Sequence, residues 1–156
     1  MWRELRRVGA LSLQQATWAV PAREEFAEAI DRATALVVRA GGEALVFDAA
    51  PHGEQMDARL QELFTADREA EWAEFIDDCG KFEREIEKEI KIERFTVAEL
   101  DEEEQSLERL RRWFRELRGR DVFRAASQRQ AELRLKRCGE RLDDFAERVY
   151  EYGGNK

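Results

Sequence analysis

Apolar positions change period along this chain, and the changes mark out its elements. Trp2, Leu5 and Val8 recur at helical spacing among Arg3, Arg6 and Arg7. That spacing predicts a short helix from residue 2 to residue 8, closed by Gly9. The period then drops to two: Leu11 and Leu13 alternate with Ser12 and Gln14, and after Gln14-Gln15 the apolar parity flips to Ala16, Trp18 and Val20. A flip inside a strand-like run requires a bulge or a tight corner, so residues 10–20 read as two short strands or one bent strand. Helical spacing returns after Pro21, through Phe26, Ala29, Ile30, Ala33, Val37 and Val38, and Ala40-Gly41-Gly42 stops it. Residues 43–49 (EALVFDA) have a dense apolar centre and predict a further strand. Pro51-His52-Gly53 then separates this α/β front part from an all-helical rear.

Three helical segments fill the rear. The first covers about residues 55–92, either continuous or broken near Gly80, with Phe75, Cys79, Phe82, Ile86 and Ile90 on one stripe. The second begins at Thr96, because Thr96-Val97-Ala98-Glu99 has the form of a capping box. Its stripe is Leu107, Leu110, Phe114 and Leu117, and Gly119 closes it. The third runs from near Asp121 to Tyr152, with Leu135, Cys138, Leu142, Phe145, Val149 and Tyr152 alternating three and four apart, a seam for packing helix on helix.

Composition narrows the function. Of 156 residues, 40% are charged and 43% hydrophobic, which suits a folded chain with solvent-washed helices. The net charge of −8 argues against indiscriminate coating of nucleic acid, so any such contact must come from a local basic patch. Charge is unevenly spread. Residues 54–104 hold 19 acidic and 7 basic side chains, and residues 105–141 hold 12 basic and 5 acidic. Arg111, Arg112, Arg115 and Arg118 gather mostly away from the apolar stripe of their helix, while Arg129, Lys136 and Arg137 lie opposite the next seam. Two readings stand. The basic faces pair with the acidic helix before them, or they meet phosphates. The run Asp101–Glu104 falls in the first turns of a helix, where carboxylates suit the helix dipole.

Little else points to chemistry. Cys79 and Cys138 form no CxxC, and His52 is the one histidine, so neither a disulfide framework nor a zinc site is expected. The cysteines lie on apolar seams, where packing as small hydrophobes competes with oxidant or chromate sensing. The Glu-rich helices lack the Glu-x-x-His motifs of di-iron bundles. No nucleophile–base pair, phosphate loop or paired catalytic carboxylate emerges, so the expectation is a non-enzyme without cofactor or metal. No run approaches a membrane span or a signal peptide, and a soluble, cytoplasmic protein follows as an expectation.

Several motifs carry a family resemblance. They are Trp-Arg-x-Leu-Arg-Arg-x-Gly-Ala at 2–10, Leu-Gln-x-x-x-Trp-x-x-Pro at 13–21, Ala-Gly-Gly-Glu-Ala-Leu-Val at 40–46, Phe-Thr-Val-Ala-Glu-Leu at 95–100 and Leu-Glu-Arg-Leu-Arg-Arg-Trp-Phe at 107–114. Together they resemble the N-terminal domain of the ChrB family, bacterial chromate-resistance regulators. The front part is also similar to the ferredoxin-like domain of repressors of phenylacetate catabolism. The resemblance implies a βαββαβ front part followed by helices. The expected fold is therefore α+β and predominantly helical, with a small, incomplete ferredoxin-like sheet lobe over residues 1–50 and a helical bundle over 51–156. Such domains begin with a strand ahead of the Trp-Arg helix, whereas this chain starts Met-Trp. The expectation is that the strand is missing from the start, or that another segment or a second copy fills its place, strand exchange in a homodimer being one solution. The regulators also carry a C-terminal domain linked to chromate response; the expectation is a stand-alone N-terminal domain lacking that sensing domain, which leaves chromate sensing open. The function expected is that of a DNA-binding transcriptional regulatory protein of this type, acting as a homodimer. Its DNA contacts fall on Arg111, Arg112, Arg115 and Arg118 and, by the resemblance, on Arg3, Arg6 and Arg7. The alternative is a protein-interaction or self-association module that does not touch DNA.

Overall fold

A computed structural model describes residues 1–154 of the chain. Its elements run α1 (Trp2–Arg7), β1 (Leu11–Gln14), β2 (Thr17–Ala19), α2 (Glu24–Arg39), α3 (Glu54–Lys91), α4 (Val97–Arg120) and α5 (Ser127–Gly154). The architecture is α+β and predominantly helical, a two-stranded sheet near the N-terminus followed by a helical bundle. Two compact units divide it, Met1–Arg68 and Glu69–Lys156, and the boundary falls inside α3.

In the first unit, α1 ends where Gly9 takes φ +79°, a left-handed conformation that costs glycine nothing. The change of parity after Gln14 is a hairpin: β1 and β2 pair antiparallel, Leu11 opposite Ala19 and Ser12 opposite Trp18, with a register shift between Ser12 and Gln14. Leu5, Ala10 and Ala33 form a small buried cluster, with Trp18 and Val20 packed on it. Arg68, at the end of this unit, donates from Nη1 to the Gly9 carbonyl at 3.1 Å in a buried setting. The stop at Ala40-Gly41-Gly42 is where α2 ends, with Ala40 as C-cap.

The strand expected over residues 43–49 is not formed. That segment is coil, and Leu45, Val46 and Phe47 are 72%, 58% and 79% exposed. A strand exists only with a partner backbone, and among the described residues the sheet stops at β1 and β2. The sheet is accordingly smaller than a βαββαβ order requires.

The second unit is helical. No break occurs at Gly80: α3 is continuous over 38 residues. The stripes meet in one core of Trp72, Phe75, Cys79, Ile86, Leu107, Phe114, Leu117, Cys138, Leu142, Phe145 and neighbours. Trp72 and Phe75 are edge to face at 5.9 Å, and Phe114 lies 5.3 Å from Trp72 and 5.7 Å from Phe75. Thr96 caps α4, its hydroxyl accepting from the Glu99 N–H at 3.2 Å. Asp121 holds the turn between α4 and α5. It is 3% exposed, accepts from Trp72 Nε1 at 2.8 Å, and takes the Ala125 N–H on both carboxylate oxygens at 3.0 and 3.1 Å.

Candidate nucleic-acid interface

The apolar stripe of α4 turns inward, with Leu107, Leu110, Phe114 and Leu117 buried. Its other faces are therefore left to polar side chains. Arg111, Arg112, Arg115 and Arg118 are all exposed along them. Arg111, Arg115 and Arg118, spaced i, i+4 and i+7, share a ridge, and Arg112 sits one step round the helix. Arg115 pairs with Glu108 of its own helix at 3.3 Å, more than half of each side chain exposed. Arg118 lies over the Phe114 ring, 5.6 Å from its centroid. Arg111 lines a shallow groove with Leu135, Lys136, Glu140 and Asp143 of α5. No carboxylate among the described residues pairs within 4.0 Å with Arg111, Arg112 or Arg118.

The acidic helix α3 neutralises other cations. Glu71 takes Arg120 at 2.9 Å, and Glu83 takes Arg134 at 3.3 Å and Arg137 at 3.1 Å. The salt-bridged reading of the charge pattern holds for Arg120, Arg134 and Arg137 and does not extend to Arg111, Arg112 or Arg118. Glu71 and Glu83 of α3 and the cations flanking the ridge make salt-linked helix contacts, while on the ridge only Arg115 is paired, with Glu108 of its own helix.

In the first unit, Arg3, Arg6 and Arg7 are exposed on α1. The Arg3 and Arg6 guanidiniums lie over the half-exposed Trp2 ring at 5.7 and 5.2 Å. Arg7 donates to Glu4 Oε2 at 2.8 Å, and Glu4 also meets Arg32 at 3.5 Å. The α1 and α4 sets belong to different units.

Opposite in character is a groove between α3 and α4, lined by Asp78, Phe82, Glu85, Glu89, Glu99, Glu102, Glu103 and Trp113 together with Lys81, Lys88, Arg94 and Arg109. Of the run Asp101–Glu104, only Glu103 is buried, at 6% exposure. Its carboxyl is pushed up to about 7, first by burial and then by Glu85, Glu102, Glu89 and Glu99. Glu89 is 2% exposed, with Arg94 3.6 Å and Lys88 3.9 Å away. Sequence reasoning saw the run as favourable dipole contacts and missed Glu103. The signal was there: Glu103 stands four before Leu107 and seven before Leu110, on the same stripe. Among the described residues no group of three or more His, Cys, Asp or Glu side chains is placed to hold a metal ion.

A family model described as "Protein ChrB, N-terminal" matches residues 1–156, the whole chain. The chain belongs to the ChrB N-terminal family. Membership suggests a ChrB-like protein of the chromate-resistance regulator kind and a non-enzymatic role. No curated protein and no solved structure matches the chain. Among the described residues of this ChrB N-terminal chain, no helix is long and apolar enough to cross a membrane.

Proposed function

We propose that this chain is a DNA-binding regulatory protein whose α4 ridge, Arg111, Arg112, Arg115 and Arg118, grips the phosphate backbone, with the protein acting as a homodimer. The observation that carries the reading is the bareness of the ridge. Three of its four guanidiniums lack a carboxylate partner among the described residues of a chain with net charge −8. A guanidinium left free offers a planar, multidentate donor to a phosphate. Such contacts position the protein on the duplex without reading bases. Arg3 and Arg6, stacked on Trp2, and Arg7 supply a second set by family resemblance.

Binding to DNA upstream of its own gene, measured across a salt series, tests this. Four phosphate contacts per chain, eight per homodimer, give a log–log slope of about −7.2 for the dimer, from about 0.9 per phosphate. Replacing Arg111 and Arg118 with Gln removes four contacts per dimer and flattens the slope by about 3.6, while far-ultraviolet circular dichroism stays unchanged. Absence of binding at low salt refutes the proposal.

A second reading, a self-association or protein-interaction module, is favoured by the exposed Leu45, Val46 and Phe47. Sedimentation over a range of concentrations without DNA separates the two. A chain that associates but ignores DNA belongs to the second reading, and a monomer throughout removes the homodimer.

A further inference from the structure

The chain has two cysteines, and the fold brings them together. Cys79 of α3 and Cys138 of α5 are both fully buried and reduced. Cys138 Sγ donates to the Cys79 carbonyl oxygen at 3.5 Å, which sets the Cys138 sulfur against the main chain of Cys79. Packing alone does not need the polar surroundings they have. Each cysteine precedes a glycine, and a guanidinium covers that backbone. Arg134 Nη2 comes within 3.4 Å of where a Cβ on Gly80 would stand, and Arg111 Nη2 within 3.6 Å for Gly139. Arg134 Nε and Glu83 Oε1 lie 3.3 Å apart but make no hydrogen bond, although both are buried. The glycine after each cysteine is thus overlaid by a long, flexible guanidinium side chain, and the Arg134 beside Gly80 belongs to an under-satisfied polar pair with Glu83.

We propose that Cys79 and Cys138 are a reversible dithiol–disulfide pair, oxidised by a hydroperoxide, that staples α3 to α5. Cys138 is the attacking sulfur. Its acidity is raised first by the hydrogen bond from Cys79 and also by Arg134 and Arg137, against burial and Glu83, while the same hydrogen bond and burial hold the proton on Cys79. The Cys138 thiolate attacks one peroxide oxygen. The O–O bond breaks, an S–O bond forms, and the leaving alkoxide takes a proton to become an alcohol. Cys79 then gives up its proton and attacks Cys138 Sγ. The S–O bond breaks, the S–S bond forms, and the departing hydroxide leaves as water. Two thiols and one hydroperoxide thus yield one disulfide, one alcohol and one water, two electrons passing from sulfur to the peroxide. This proposal does not depend on the DNA reading.

The test treats the native full chain with tert-butyl hydroperoxide and reads its mass and tryptic map. The expected result is a loss of two mass units and a single Cys79–Cys138 crosslink within one chain, both reversed by dithiothreitol. In Cys79→Ser, dimedone traps a sulfenic acid on Cys138. In Cys138→Ser, Cys79 stays reduced for at least ten times as long. Two free thiols after treatment, a sulfinic acid on one cysteine without a crosslink, or a disulfide only between chains overturns the proposal. The wild-type map decides even where a serine variant fails to fold.

Discussion

Glu103→Gln isolates the energetic cost of the buried carboxylate in the groove between α3 and α4. Glu103 is 6% exposed, and its carboxyl is pushed up from the ordinary 4.5 to about 7. Below pH 4.5 the group is protonated whether the chain is folded or not, and its burial costs the fold nothing. Between 4.5 and about 7 the unfolded chain releases the proton while the folded chain keeps it, so stability falls as pH rises. Above that range the loss is complete. At 1.36 kcal/mol per pH unit the upper bound is about 3 kcal/mol. The groove admits water and holds Lys81, Lys88, Arg94 and Arg109, which screen the charge, so about 1–2 kcal/mol is expected. Glutamine keeps the shape and the neutral form. The variant should match the wild type near pH 4.5 and melt roughly 3–6 °C higher at pH 8, taking about 3 °C per kcal/mol for a chain of this length. Thermal melts followed by circular dichroism from pH 4.5 to 8.5 measure the difference directly. A difference that does not change with pH, or a variant less stable than wild type at pH 8, refutes the reasoning.

Three further perturbations follow from the same geometry. Asp121→Ala leaves the buried Trp72 Nε1–H and the Ala125 N–H without their acceptor and should cost about 2–4 kcal/mol in urea melts, one of the largest single losses available outside the apolar core. Thr96→Ala removes the α4 cap and should cost about 1 kcal/mol, with Thr96→Ser restoring most of it. Leu45→Asp together with Phe47→Asp should change unfolding free energy by less than about 0.5 kcal/mol at low protein concentration, since both side chains face solvent. A loss above about 2 kcal/mol would mean that something covers them.

Legibility in the sequence followed the range of the interactions. The Thr96 cap and the end of α2 at Ala40-Gly41-Gly42 depend on a few neighbouring residues and could be read directly. The seams of α4 and α5 were readable for the same reason: helical period alone decides which side chains share a face. Residues 43–49 failed because alternation and apolar content express only readiness to pair, while pairing needs a distant backbone. Gly80 was ambiguous because a lone helical glycine costs only about 1 kcal/mol, and Phe75, Cys79, Phe82 and Ile86 around it are anchored in the core. The arginines divided in a way no pattern announces. Arg120, Arg134 and Arg137 reach Glu71 or Glu83, whereas Arg111, Arg112 and Arg118 face no such acid, and only the placement of α3 decides which. The role of Asp121 was hidden similarly, since its partner Trp72 lies 49 positions earlier in the chain.

The bare Leu45-Val46-Phe47 triplet has a colloidal consequence. Glu43 and Asp48 flank it, and like charges at those two posts discourage the triplets of neighbouring molecules from stacking. The molecule's isoelectric point is near 5.0, so the general repulsion between particles vanishes close to that pH and no longer keeps the triplets of neighbouring molecules apart. Turbidity should therefore climb sharply just below pH 5, and a lysine at position 46 should keep such suspensions clear.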